Sequence, residues 1–336
     1  MPFTLAQLAT LEKGPTYKNY IITNLLRMNP LMQTLPFENV STLRTVAVRW
    51  RTLPTVAFRQ INAGYTENTG TFEQVWESVY GFGGDIQFDR VFDYVAGNTV
   101  QDPKRAATDQ KLAAMKIAFN NYLVNGDHAV DPDGVEGVIK RLSTYPARQR
   151  IRFAGTGAAA ALDPTSSVAN GNLFWTHLEE MHQYCNDGGT AFWLMNLATW
   201  LGVGRVIRFI QASAGNWIGV QKDVFGKKDI PTLFGAPIYD PGLLNDQTTE
   251  VIANDADDAG TATNSTTILN ASTDSMQGFT GIQLNDMNPY DPLTGGEMEA
   301  QPSKLVRIDW WIGFTGFGSY GLTQGHNLEP TTAWTA

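Results

Sequence analysis

The chain has 336 residues, 43% of them hydrophobic and 17% charged, enough apolar material for a sizeable core and a length of about two domains. Its net charge of −9 comes without any block of Lys or Arg, which excludes the basic footprint of a nucleic-acid binder. The single cysteine, Cys185, excludes an intrachain disulfide and fits a reducing compartment.

Thr4 with Gln7 forms a capping-box pattern, Leu5, Leu8 and Leu11 follow at helical spacing, and Gly14-Pro15 ends a short helix. No basic start precedes these apolar residues, so no signal peptide is expected. A second helix is expected from Pro15 to Met28, with Tyr17, Ile21, Leu25 and Met28 on one stripe. Two such helices with little sequence around them read as an arm whose stripes must be buried on something else.

Residues 42–80 change character. "TVAVRWRT" alternates Val46, Val48 and Trp50 with Arg49 and Arg51, and "FEQVWESVY" sets Phe72, Trp76 and Tyr80 four apart, both consistent with strands. Between them "FRQINAGYTENTGT" is rich in Asn, Gly and Thr and reads as the tip of a long hairpin. Arg44, Arg49, Arg51 and Arg59 sit on the outgoing arm, and Glu67, Glu73 and Glu77 on the tip and return arm. These seven are the candidate inter-subunit contacts, because such arms can pair with each other or with a neighbour's arm. A two-stranded hairpin is marginal alone and needs a surface to lie on.

"DIQFDRVFDYV" (85–95) is a further alternating strand. Asp102-Pro103 opens the clearest helix, expected over 103–124, with Leu112, Met115, Phe119 and Leu123 on one stripe and Asn125-Gly126 as its stop. The stretch after it, "NGDHAVDPDGVEG", gathers Asp127, Asp131, Asp133 and Glu136 among glycines and invites a calcium reading. An EF-hand loop needs oxygen ligands at positions 1, 3 and 5, Gly at 6 and Glu at 12. Aligning Gly134 with position 6 leaves Ala129 at position 1 and Lys140 at position 12; starting at Asp127 puts Pro132 where Gly must turn. A solvated turn is the better reading.

Downstream, "GNLFWTHLEEMHQYC" (171–185) reads as a helix, "TAFWLMN" as a buried strand and "LATWLGVGRVIRFI" as a helix. The apolar run 191–204 is broken by Asn196 and Thr199 and followed by Arg205 and Arg208, too short and too polar to span a bilayer. "DIPTLFGAPIYDPG" (229–242) reads as one strand, 252–265 as a polar surface loop, and "KLVRIDWWIGFTGFGSYGL" (304–322) as a strand with a Gly-punctuated tail. The sequence reads as a soluble, intracellular protein.

No catalytic, metal or cofactor constellation emerges. In "HLEEMH" His177 and His182 are five apart, about 140° around a helix, whereas the zinc-protease box needs four. "GTGAAA" (155–160) fits G-x-G-x-x-A, the basis for a remote reading as a nucleotide-binding oxidoreductase, but the strand before it is two-faced and Pro164 stops the helix it needs. Cys185 one turn after His182 could form a nucleophile pair, yet a small buried Cys is commoner. The N-x-S/T sequons at Asn39, Asn264 and Asn270 are idle in a protein that is not secreted.

The order of parts resembles the major capsid protein of tailed bacteriophages, with its α+β Hong Kong 97-type capsid fold. The resemblance is carried by "LPTVAFRQINAGYTENTGTFEQ" (53–74), similar to the family's E-loop, and "ATDQKLAAMKIAFNNYLVNGD" (107–127), similar to its spine helix and exit. "DPDGVEGV" resembles the turn after that helix, "PTLFGAPIYD" (231–240) a hydrophobic-Gly-x-Pro strand, and "KLVRIDWWIGF" (304–314) the late P-domain strand. The resemblance implies an N-terminal arm (1–41), an E-loop hairpin (42–84), a P-domain with the spine helix 103–124 (85–165), an A-domain (166–300) and a late strand with tail (301–336). It implies a non-enzymatic coat protein that assembles with itself into hexamers and pentamers of an icosahedral shell in the host bacterial cytoplasm. Portal, scaffolding and decoration proteins are its implied partners, and double-stranded DNA is enclosed without sequence-specific binding. No cofactor, metal or membrane is implied. An encapsulin-like nanocompartment of the same fold is the alternative. The hairpin contains no lysine, which excludes a cross-link donated by that loop.

Overall fold

The structure, a computed structural model, describes residues 17–65, 67–89, 91, 103–154, 161–185, 187–210, 218–223, 226, 228–253, 266–274, 278–293, 298, 301–316, 318, 320–331 and 334. The expected helix around Leu5, Leu8 and Leu11, the "GTGAAA" segment, residues 92–95 of the alternating strand, Asn264 and most of the polar loop lie outside the described residues.

The helices are α1 (Tyr17–Met28), α2 (Leu31–Thr34), α3 (Pro103–Asn125), α4 (Val138–Leu142), α5 (Val168–Tyr184) and α6 (Leu197–Phe209). The strands are β1 (Phe37–Asn39), β2 (Arg44–Thr52), β3 (Thr71–Ser78), β4 (Tyr80–Asp89), β5 (Arg150–Arg152), β6 (Phe192–Leu194), β7 (Ile218–Lys222), β8 (Asp229–Leu233), β9 (Ala236–Tyr239), β10 (Thr266–Ala271), β11 (Phe279–Gln283), β12 (Asn288–Tyr290), β13 (Ser303–Gly316) and β14 (Leu322–Leu328). They form an α+β architecture of two sheets plus a separate hairpin.

The first sheet is organised by β13. Along one edge it pairs antiparallel with β4, from Ser303↔Asp89 to Ile312↔Tyr80. Along the other it pairs with β12 and then with β11, and β1 extends the sheet parallel to β11. Alternation brings Ile308, Trp310, Ile312 and Phe314 into the core. The 23-residue helix α3 matches the expected span to within a residue and offers Leu112, Met115, Phe119 and Leu123 from one stripe. Phe119 is the junction. It stacks on Trp310 at 6.2 Å and 12°, and meets the edge of Phe314 at 5.8 Å and of Phe82 at 6.3 Å. The arm helix α1 packs against α3, burying Ile21, Ile22, Leu25 and Leu26 there, so its stripe is covered within its own chain.

The second sheet runs β5-β14-β10-β6-β9-β8-β7 and forms the other core with α5 and α6, around Phe153, Phe174, Met181, Trp193 and Val206. Two elements differ from expectation. Residues 229–239 are two strands, because Phe234 (φ 51°) and Gly235 (φ 81°) make a two-residue turn with both central residues left-handed. The expected tail contains β14, whose seven residues are all buried between β5 and β10. Its interior is Thr323, Gln324, Gly325, His326 and Asn327, so hydrophobic periodicity carries no signal there; ladders on both edges hold it in place.

Because Phe119 fills the junction of four aromatic neighbours, Phe119→Ala should lower the unfolding free energy by about 3–5 kcal/mol. A urea titration followed by tryptophan fluorescence reads this as a fall in midpoint.

Candidate inter-subunit surface

Among the described residues, strands β2 and β3 pair only with each other, from Arg44↔Ser78 out to Thr52↔Thr71. Side chains alternate between the two faces of such a ribbon. Ala47, Arg49 and Glu77 share the inner face and are almost completely buried. On the outer face Val48, Phe72 and Trp76 are 51%, 68% and 53% exposed, and the Arg44 guanidinium lies 4.6 Å from the Trp76 ring centre. The tip continues this apolar surface with Leu53, Val56, Phe58, Ile61 and Tyr65, all exposed. Half of the large hydrophobic side chains that the described residues expose lie between Leu43 and Trp76.

The inner face is fixed by a buried ionic anchor. Arg141 of α4 donates both terminal nitrogens to the Glu77 carboxylate, one of them also to the Phe314 carbonyl at 2.7 Å, and its Nε to the Glu136 carbonyl at 3.1 Å. Burial alone would push this guanidinium down; the Glu77 carboxylate outweighs it and holds the group above its ordinary value. Beside it Arg49 donates Nε to the Gly316 carbonyl at 2.8 Å and lies over the Tyr145 ring. A Cβ at Gly316 would collide with the Tyr145 hydroxyl. One cluster thus joins the hairpin base to α4, to the turn after α3 and to the end of β13.

The seven charged candidates divide accordingly. Arg49 and Glu77, expected to face a neighbouring subunit, instead make their contacts inside the chain, because alternation turns both toward the first sheet. Arg44, Glu67 and Glu73 are exposed, and so is Arg59, which donates to the Ala63 carbonyl at 3.0 Å and lies over the Tyr65 ring. The side chain of Arg51 lies outside the described residues. Sequence reasoning passed over the apolar tip. Its signal was "LPTVAFRQI", with four large apolar side chains in a segment that has no strand partner.

The acidic turn is a connector. Asp127 accepts from the Ala129 N–H and from Lys140, both at 2.9 Å, and the Lys140 bond above all holds its carboxyl below the usual range. Asp131 accepts from the Tyr122 hydroxyl at 2.7 Å. Gly137 donates to the Gly126 carbonyl at 2.9 Å, and the backbones approach so closely that a Cβ on Gly137 would meet Gly126 N at 2.7 Å. Val135 and Val138 go into the main core.

The remaining motifs are accounted for locally. His177 pairs with Glu180 at 3.0 Å, while His182 meets Thr190 at 2.9 Å and stacks on Phe234. Cys185 is fully buried, with its sulfur 3.6 Å from the Gly321 carbonyl; burial pushes its thiol up to about 12. After residue 160 the chain enters a bridge from Leu162 to Leu328 and a turn, with no helix until α5, so the crossover of a dinucleotide fold is not built. Among the described residues no helix is long and apolar enough to cross a membrane.

Residues 14–167 match the family model described as "Major capsid protein GP7". Over nearly its whole length the chain is also similar in structure to phage capsids and encapsulins. The chain is a capsid shell protein with the Hong Kong 97-type fold. This shell protein superposes on the holo-SrpI encapsulin complex from Synechococcus elongatus PCC 7942 with a TM-score of 0.60 and 13% identity, covering 98% of this chain and 96% of that one. Against the capsid of a native GTA particle the TM-score is 0.54 at 13% identity, covering 94% and 93%. Against Mycobacterium phage Bobi it is 0.54 at 11% identity, covering 96% and 97%. No curated protein matches the shell protein by sequence.

Two outcomes follow from the buried groups. Arg141→Ala leaves the Glu77 carboxylate buried without its partner and should cost about 3–5 kcal/mol, whereas the double change Arg141→Met/Glu77→Leu should cost clearly less; chemical denaturation compares them. Cys185 should resist iodoacetamide at pH 8 in the folded shell protein and react fully in 6 M guanidinium, because a buried thiol held up at about 12 offers almost no thiolate.

Proposed function

We propose that the shell protein is the major capsid protein of a tailed double-stranded DNA bacteriophage, assembling with itself into hexamers and pentamers of an icosahedral head. The observation that carries this is the uncovered apolar face and tip of the hairpin. At about 25 cal/mol per Å² these side chains favour burial on another molecule, and a ribbon of two strands has no second layer of its own to cover them. The parts are an arm (1–41), an E-loop hairpin (42–84), a P-domain around α3 (85–165), an A-domain (166–300) and a returning segment (301–336). Assembly takes place in the host bacterial cytoplasm, with a portal and a scaffolding or decoration protein as partners. Arg44, Arg59, Glu67 and Glu73 surround the apolar contact and fix its register rather than supply its main stabilisation, since exposed pairs contribute about 0–1 kcal/mol each. The enclosed DNA is held without base recognition, in keeping with a net charge of −9.

The whole-length likeness to an encapsulin complex favours one second reading, a nanocompartment shell. The particle contents separate the two: genomic DNA supports the phage head, a folded protein cargo the compartment.

The test is electron microscopy of the purified chain, alone and with its co-expressed scaffolding protein. Closed shells are expected from the natural sequence and none from Phe58→Asp/Ile61→Asp, with an unchanged circular dichroism spectrum and melting temperature because both residues are solvated in the subunit. Small monodisperse species from the natural sequence under both conditions would overturn the reading.

A further inference from the structure

We propose that the groove between α3 and β4 is a seat for a small organic cation, an alkyl- or quaternary ammonium group held by aromatic rings under a carboxylate rim. The proposal goes beyond the shell reading and does not depend on it. The groove is a cavity of about 280 Å³. Its walls are Tyr80, Phe82 and Tyr122, all partly exposed, its floor is Phe119 and Phe314, and Asp133 stands in water on its rim. Ala118 of α3 and two glycines of β4 complete the lining with little bulk of their own, which leaves the space open. That volume lies just below the range for drug-sized ligands and selects a group of few heavy atoms.

Charge decides the class of ligand. The faces of aromatic rings carry negative potential, and a cation within about 6 Å of a ring centre is attracted to it. Tyr122 strengthens this. Its hydroxyl donates to the Asp131 carboxylate at 2.7 Å, a bond that above all else holds the phenol above its ordinary pKa and polarises the ring toward negative. Asp131 also accepts from the Asp133 N–H at 3.3 Å, which keeps a second carboxylate beside the rim. No Lys side chain lines the groove, and no Arg side chain does. The basic groups around it are otherwise placed: the His128 ring lies 5.6 Å from that of Tyr80, Lys111 sits by Gly84 farther along β4, and Arg141 is held by Glu77. A metal ion is a poor occupant, because it needs several oxygen ligands and the groove offers one carboxylate. A neutral apolar ligand gains the burial but nothing from the carboxylates. An ammonium carrying methyl or methylene groups uses both.

The test is choline titrated into the full chain and followed by proton NMR, with its neutral isostere 3,3-dimethylbutan-1-ol as the control. The choline N-methyl protons should move upfield, because groups seated over ring faces are shielded, and choline should bind at least about tenfold more tightly than the isostere. Asp133→Asn, at a solvated position, should weaken choline about three- to fivefold, leave the isostere unchanged and keep the melting temperature of the natural chain. Tyr122→Leu should abolish most of the upfield shift. Equal binding of choline and the isostere, no binding of choline to the folded chain, or choline binding that ignores Asp133→Asn would each overturn the seat. The shell reading stands or falls separately, on the particles.

Discussion

A ribbon of two strands has two faces, and in this subunit only one is covered. The inner face meets the first sheet through Ala47, Arg49 and Glu77; the outer face leaves Val48, Phe72 and Trp76 in water. This single constraint shapes the rest of the molecule. A hairpin of that length and composition is marginal in isolation, so it depends on its base being fixed to the body of the subunit. The body is the platform for that task. Its two cores are each built on a sheet with helices against it, and the longest strand, β13, runs through the first of them.

The manner of fixing is informative. Glu77 and Arg141 form a buried ion pair where an apolar contact would serve stability as well or better, since two charges must be stripped of water to meet there. What the pair supplies is direction. Arg141 bonds at once to β3, to the turn leaving α3 and to the end of β13, so the angle of the hairpin is tied to the body by hydrogen bonds of fixed geometry. A greasy contact of the same area would permit sliding. Over a ribbon about 26 Å long, a small error at the base becomes a large one at the tip.

The acidic turn belongs to the same device. Its carboxylates look like ligands on paper, yet Asp127 is engaged by Lys140 and Asp131 by Tyr122, and its glycines allow the chain to fold back against the end of α3. The turn carries Glu136 and Arg141 into position beneath the hairpin.

Much of this was legible without coordinates. The Pro103 start, the Leu112–Met115–Phe119–Leu123 stripe and the Asn125-Gly126 stop determined α3, because helix periodicity and end signals are local. The alternation over 42–80 determined the hairpin for the same reason, and the order of parts was enough to show a capsid resemblance. The fate of individual side chains was not local. Period-two alternation says that Arg49 and Trp76 point to opposite faces but not which face the body covers, and only packing against β13 and Tyr145 decided that the charges would be buried and the aromatics exposed. Likewise β14, with Thr, Gln, Gly, His and Asn inside, became a buried strand only because β5 and β10 supply partners on both of its edges, a fact of tertiary structure that no run of its own seven residues encodes.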